Sequence, residues 1–318
     1  MKQLTKKPFS GPIAAGFAAA LCCVLWGSAY PAIKTGYLLF NIAQQDAASQ
    51  ILFAGIRFAL AGVLAILIGS ILQKKFLFPR KTALKPIFML AGVQTIAQYL
   101  FFYIGLANAS AVRSSIINGS SSFIAILIAC FIFRQERFTR AKLLACLLGF
   151  ASVIFMNTTV FSATESFALN GEGFILFSTI AYAFSSSMIK IFSQRENPVL
   201  LSGYQFMLGG IIMVVAGILL GGRLRVVSGA GLGVLLYLAA VSAIAYSLWG
   251  ILLQRHPVSR IAIFGFMIPL FGVLLSGLFL NEADEIFSLN NLLALVCVCV
   301  GIIILNRKSD TLEANRLK

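Results

Sequence analysis

The chain has 318 residues, a mean hydropathy of +0.94, and 59% apolar against only 11% charged residues, whereas a soluble domain carries about a quarter charged residues. Water is therefore not its main solvent. Its formal charge is +15, but the Lys and Arg residues sit in short links between apolar runs and form no stripe interleaved with aromatics, which excludes a nucleic-acid surface and makes the excess a topology signal.

Met1 to Pro12 is basic, yet the run behind it is long and lacks a small-residue cleavage site, so it reads as a retained anchor and not as a signal peptide. Ten apolar stretches follow, each of roughly 17 to 25 residues and able to cross a bilayer as a helix. The first, Ile13 to Ile33, carries Trp26, Tyr30 and Pro31 and is followed by Lys34. The second, Ile51 to Leu72, contains Arg57, whose insertion at mid-helix costs roughly 2.5 to 3.5 kcal/mol and so demands a reason. It is expected to face the bundle interior. There it would attract a carboxylate or another polar group of a solute, or else serve backbone carbonyls and polar neighbours as a structural partner. The third, Pro86 to Ala107, carries Gln94, Gln98, Tyr99 and Tyr103, with Gln94 and Gln98 four apart on one helical face. The fourth, Ser114 to Phe133, opens on Asn118, Ser120, Ser121 and Ser122, and the fifth is Ala141 to Val160.

Residues 161–170 are polar and free of Lys and Arg, the one candidate linker between halves. Beyond it lie Gly173 to Phe192, with Tyr182, Ser185 to Ser187 and Lys190, and Val199 to Leu220, with Gln205 and the small residues Gly209, Gly210, Gly217 and Gly221, which allow close helix approach. Gly231 to Leu253 carries Tyr246 and Trp249; Ile261 to Leu280 carries Pro269; Leu289 to Leu305 is the last. Lys34 and Lys190 read as snorkelling residues at helix ends. His256, the single histidine, is expected in a solvated link. All six cysteines fall inside apolar runs, so neither a disulfide framework nor a zinc site is suggested, and no metal or cofactor is expected.

Basic residues concentrate in the first tail, in the links around 74–85, 134–142, 190–195 and 255–260, and in the last tail, whereas the alternate links hold only Lys34, Arg113, Arg223 and Arg225. Both termini are then cytoplasmic. The second set of runs also echoes the first: Trp26 and Lys34 are spaced like Tyr182 and Lys190, RFALAG (57–62) matches QFMLGG (205–210), and Tyr99, Arg113 and Glu136 match Tyr246, Arg260 and Glu282. The matches keep one order at offsets of roughly 150 residues, the mark of an internal duplication. Five crossings per half would set the halves in opposite orientations, the plan of secondary transporters.

WGSAYPAIK (26–34), the Arg57-Phe58 pair and FRQERFTRAKLLACLLGF (133–150) resemble the EamA-type family of the drug/metabolite transporter superfamily. Gln135-Glu136-Arg137 and Gly149 fill the family's Gly-Glu-Arg-like turn and fifth-helix glycine, and where the family often has a fourth-helix proline, as Pro269 stands in the ninth, this chain has Ser122. The resemblance spans about residues 13 to 306 and implies ten helices, alternating access and efflux of metabolites or amino acids.

The expected architecture is thus an all-α integral membrane protein of ten transmembrane helices in two inverted five-helix repeats. Its units are a cytoplasmic tail (1–12), a first repeat (13–160), an extracytoplasmic linker (161–170), a second repeat (171–306) and a cytoplasmic tail (307–318), in a bacterial-type inner membrane. The expected cavity wall is Arg57, Gln94, Gln98, Tyr99, Tyr103, Asn118, Ser122, Gln205, Tyr246 and Trp249. The competing reading makes the polar members interhelical glue, worth about 0.6 kcal/mol each, and the aromatics interface belts. Trp26, Tyr30, Pro31, Tyr182 and Pro269 either gate the cavity or pack and kink helices.

The acids map to links, helix ends or tails, leaving no mid-membrane carboxylate to relay protons. The function expected is export of small amphipathic solutes, neutral or aromatic amino acids first, without a carboxylate relay; efflux of cationic xenobiotics is the alternative. A membrane-embedded lipid or prenyl transferase is the distant rival, since Glu282, Asp284 and Glu285 form the only acid cluster and lack a histidine or second acidic group. A sensor or scaffold would normally carry a soluble domain. The partners expected are a small-molecule solute and the lipid bilayer, and a monomer is compatible with the sequence.

Overall fold

The computed structural model describes residues 9, 11–43, 45–108, 117–157, 168–224, 228–279 and 289–316, and every regular element among them is helical. In chain order these are α1 (Pro12–Leu39), α2 (Ala47–Leu72), α3 (Lys81–Leu90), a π-helical stretch (Ala91–Ala97), α4 (Gln98–Asn108), α5 (Ser121–Leu127), a second π stretch (Ile128–Ile132) and α6 (Arg140–Asn157). A third π stretch (Leu169–Gly173) leads into α7 (Phe174–Phe192), then α8 (Pro198–Leu219), α9 (Gly229–Arg255), α10 (Val258–Ala262), a 3₁₀ turn (Ile263–Phe266), α11 (Met267–Phe279) and α12 (Leu289–Arg316). Among the described residues, six helices are long and apolar enough to cross a membrane, and the shorter apolar helices 117–132, 258–272 and 292–305 accompany them. Hydrocarbon offers no water to backbone amides, so apolar runs of this length must close their hydrogen bonds internally. Polar residues in the links set the starts: the Asp46 carboxylate accepts from Ser49 N at 3.0 Å, Asn197 from Val199 N at 2.9 Å ahead of Pro198, and Ser228 from Gly231 N at 3.0 Å.

Three of the expected uninterrupted helices are broken. The third is π-helical over Ala91–Ala97. In the fourth, Ser120 is a turn between the helical residues 117–119 and α5, and its hydroxyl donates to the Ile117 carbonyl at 2.5 Å, a local bond that competes with the helical ladder. In the ninth, Pro269 has no N–H to offer the Gly265 carbonyl four residues back, and the chain tightens to a 3₁₀ turn over Ile263–Phe266. Pro31, by contrast, is absorbed within α1, where Thr35 Oγ1 donates to its carbonyl at 3.0 Å.

The centre of the bundle is the crossing of α2 and α8, which run antiparallel. Gly62 lies against Gly203 and Met207, while Gly55 lies against Gly210 and Val214. A Cβ on Gly62 would stand 2.4 Å from Met207 N, and one on Gly210 2.3 Å from Ala59 N, so the two backbones touch. Around this seam α1 packs on α9 and α11, and in the matching arrangement α7 packs on α4 and α5; α6 pairs with α12. Large apolar side chains such as Ile71, Leu72, Phe78 and Leu219 point outward, as the surface of a multi-pass membrane protein requires. Arg113, Glu165, Arg225, Glu282, Asp284 and Glu285, and residues 161–167 of the expected linker, lie outside the described residues, as does the side chain of Tyr30.

Candidate functional site

Where the broken helices meet α1, α2, α4, α7 and α9, they enclose a cavity of about 160 Å³. Its wall is made of Trp26, Ala29 and Ile33 from α1, Arg57 from α2, Gln98, Tyr99, Phe102 and Tyr103 from α4, and Asn118, Gly119 and Ser121 around the Ser120 turn. Ser178 and Tyr182 from α7, Tyr246 from α9, and Gly265, Ile268 and Pro269 complete it. The Ser120 turn and the Pro269 break thus fall on the cavity, where irregular backbone at membrane depth is tolerated, and the π stretch of the third helix ends beside it at Gln98.

Arg57 dominates the electrostatics. Its side chain is 5% exposed, its Cζ lies 4.5 Å from the centroid of the Phe58 ring, and neither Nε nor Nη1 has a hydrogen-bond partner. Trp26 Nε1 and Gln98 Oε1 are likewise buried and unpartnered. Each such group costs about 1–3 kcal/mol, more when charged. An aromatic frame supports them: Phe58 stacks on Phe206 at 5.2 Å and meets Tyr99 at 4.3 Å, Tyr246 lies 4.8 Å from Phe206, and Trp26 lies edge-on 5.0 Å from Tyr246. The Tyr99 and Tyr246 hydroxyls, from residues matched in the sequence comparison of the halves, bond each other at 2.6 Å.

Of the residues singled out in the sequence, Arg57, Gln98, Tyr99, Tyr103, Asn118, Tyr246, Trp26, Tyr182 and Pro269 meet at this cavity. Ser121, named with them, also lines it, whereas Gln94, Gln205, Trp249, Ser122 and Pro31 stand behind its wall. Gln94 Nε2 donates to Ser185 Oγ at 3.0 Å, Gln205 Nε2 donates to Gln94 Oε1 at 2.5 Å, and Thr95 Oγ1 donates to Gln205 Oε1 at 3.2 Å, a closed network joining the third helix to α7 and α8. The face that Gln94 and Gln98 were expected to share is therefore divided: Gln94, within the π stretch, turns to Gln205, and Gln98 turns to the cavity. Trp249 backs Trp26 at 4.9 Å, Ser122 is buried beside Gly265, and Pro31 is buried within α1. Phe102, Ser178 and Gly265 were missed. Ser178 sits four residues before Tyr182, and Gly265 four before Pro269, so the helical period carried the signal for both.

One end of the bundle is closed by polar contacts between the halves. Glu136 accepts from Ser259 N at 3.1 Å and from the Ser259 hydroxyl, capping α10, while Lys142 Nζ pairs with it at 2.6 Å. Gln135 Nε2 donates to the Ser187 carbonyl at 3.0 Å. His256 corrects the sequence expectation: it is buried, with Nε2 2.8 Å from the Phe9 carbonyl, because Phe9 lies against its link. Lys190, expected to snorkel, donates instead to the His256 carbonyl at 2.7 Å. Glu136→Gln would leave the Lys142 ammonium without its counter-charge and weaken the α10 cap, at roughly 1–2 kcal/mol. A fall of a few degrees in the melting temperature of the purified protein is the expected reading; an unchanged value would mean that this contact holds nothing.

The model of the EamA-like transporter family matches the chain twice, over residues 13–158 and 169–307. An uncharacterized transporter of Archaeoglobus fulgidus is 27% identical over 91% of this chain and 97% of its own length, and one of Bacillus subtilis is 22% identical over 93% and 92%. A Salmonella typhimurium protein named "Probable amino-acid metabolite efflux pump" is 26% identical over 84% of this chain and 87% of its own. A crystal structure superposes with a TM-score of 0.73 at 16% identity, covering 96% of this chain and 97% of the other.

Proposed function

The chain belongs to the EamA-like transporter family, and from that premise we propose that it exports small amphipathic carboxylates, neutral and aromatic amino acids first, across a bacterial-type inner membrane. The observation that carries this reading is Arg57, a buried cation with two unpartnered donors on the wall of an aromatic cavity. A buried guanidinium of this kind wants a carboxylate, and its planar donors suit one. Among the described residues, none that lines the cavity is acidic, which disfavours a lipophilic cation. The Salmonella relative's name points to the same class of solute.

The transport cycle follows from ten membrane crossings in two inverted units, residues 13–160 and 171–306, joined by an extracytoplasmic linker at 161–170 and flanked by cytoplasmic tails 1–12 and 307–318. Support comes from the antiparallel crossing of α2 with α8, the two helices that carry the matched RFALAG and QFMLGG segments, and from the exchanged packing of α1 on α9 and α7 on α4. The Glu136, Gln135 and Lys190 contacts lie at the end rich in basic links, the cytoplasmic end by charge bias. They hold the cavity shut on that side. Release of these contacts, with closure of the opposite side, exchanges its access without a carboxylate relay.

Counterflow in proteoliposomes with a panel of labelled amino acids and a lipophilic cation tests the reading. Saturable exchange of phenylalanine or other neutral amino acids, with none of the cation, is expected. Exchange of the cation alone would overturn the substrate class and favour multidrug efflux.

A further inference from the structure

Three of this cavity's residues carry polar atoms with no partner, and the atoms differ in kind. Arg57 offers donors at Nε and Nη1, Trp26 offers one donor at Nε1, and Gln98 offers an acceptor at Oε1. A solute that is only an anion would satisfy the first two and leave the third orphaned. One that is only a cation would satisfy Gln98 and meet the guanidinium as a like charge. The set is complementary to a head group that carries an anion and a donor together. Gln98 shares the cavity wall with Tyr246, whose hydroxyl is held by Tyr99 at 2.6 Å.

Resting on the transport reading above, we propose that Trp26 and Gln98 are specificity-determining residues that read the solute as a zwitterion. The Trp26 indole N–H adds a donor to the carboxylate held by Arg57, and Gln98 Oε1 accepts from the solute's ammonium group. Trp26 is then a recognition residue as well as part of the aromatic wall. The discrimination is against carboxylic acids that lack the amine, because a site built to hydrogen-bond a group rejects the analogue that leaves its own polar atom unpaired.

The test is counterflow of labelled phenylalanine and of labelled 3-phenylpropionate, its des-amino analogue, by the full-length protein and by Gln98→Leu and Trp26→Phe in proteoliposomes. The wild type is expected to prefer phenylalanine by at least roughly tenfold in half-saturating concentration. Gln98→Leu should narrow that preference by about tenfold, with phenylpropionate exchange retained as proof of a folded carrier. Trp26→Phe, which keeps an aromatic ring and removes the N–H, should weaken both solutes alike and leave the preference intact. A wild-type preference that survives Gln98→Leu, or a variant that moves neither solute, overturns the assignment while the transport reading stands on the wild type's own exchange. A wild type that exchanges no amino acid overturns both.

Discussion

Arg57→Gln is expected to lower amino-acid counterflow by roughly 10- to 100-fold, the worth of one charge-assisted hydrogen bond to a carboxylate, and to raise the half-saturating concentration more than it lowers the maximal rate. The guanidinium is 5% exposed, so water does not screen it. Gln keeps a donor but no charge, and Gln205, which stands in QFMLGG where Arg57 stands in the matching RFALAG, shows what a glutamine does at this depth: it pairs with Gln94 and Thr95. Arg57→Lys keeps the charge but not the planar pair of donors, and should fall between wild type and Gln.

A third substitution at this position separates a solute-binding role from a structural one through stability. A structural arginine is held by partners, and its removal orphans them. Here Nε and Nη1 have none, so Arg57→Met, which preserves the stem over Phe58 and deletes the orphaned atoms, is expected to raise the melting temperature in detergent by a few degrees while transport is lost, the exchange of stability for function found at binding sites. A melting temperature that drops by several degrees together with transport would make Arg57 a structural residue and remove the main support for a carboxylate solute.

What the sequence disclosed, and what it hid, divides along one physical line. Helix positions were legible because hydrocarbon imposes length and apolarity on every crossing, and the caps at Asp46, Asn197 and Ser228 sit where short polar residues precede apolar runs. Arg57 was legible for the converse reason: a charge within such a run is costly and must do something. Which way a polar residue turns was not legible. Gln94 and Gln98 are the same residue type four positions apart, yet the π stretch at Ala91–Ala97 and the proximity of Gln205 send one into a closed network and the other to the cavity. The burial of His256 depends on Phe9, far away in sequence, and no local pattern announces such a contact. Gly210 was legible as a small residue, but its facing Gly55, and the facing of Gly62 and Gly203, follow only from the antiparallel crossing.

That crossing carries the other large effect. Gly62→Ala places a Cβ 2.4 Å from Met207 N and 2.6 Å from the Gly203 carbonyl, both backbone atoms that cannot swing aside. Ordinary contact would require α2 and α8 to separate by about 1 Å, and in a bilayer the lost van der Waals contact is not replaced by a hydrophobic drive, because lipid tails are as apolar as the partner helix. Gly62→Ala should therefore cost about 1–3 kcal/mol, and Gly62→Leu more than 3 kcal/mol, enough to abolish recovery of monodisperse protein. Gly233→Ala is the internal control, since a Cβ there meets nothing within 4 Å; alanine's better helix propensity should leave that variant neutral or about 1 kcal/mol more stable. Thermal melting of the variants, read side by side, decides the matter by sign. Opposite signs mean that the seam is a rigid pivot about which the remaining helices rearrange. A Gly62→Ala protein as stable as Gly233→Ala would mean that α2 and α8 part without cost, and a pivot at that crossing would have to be abandoned.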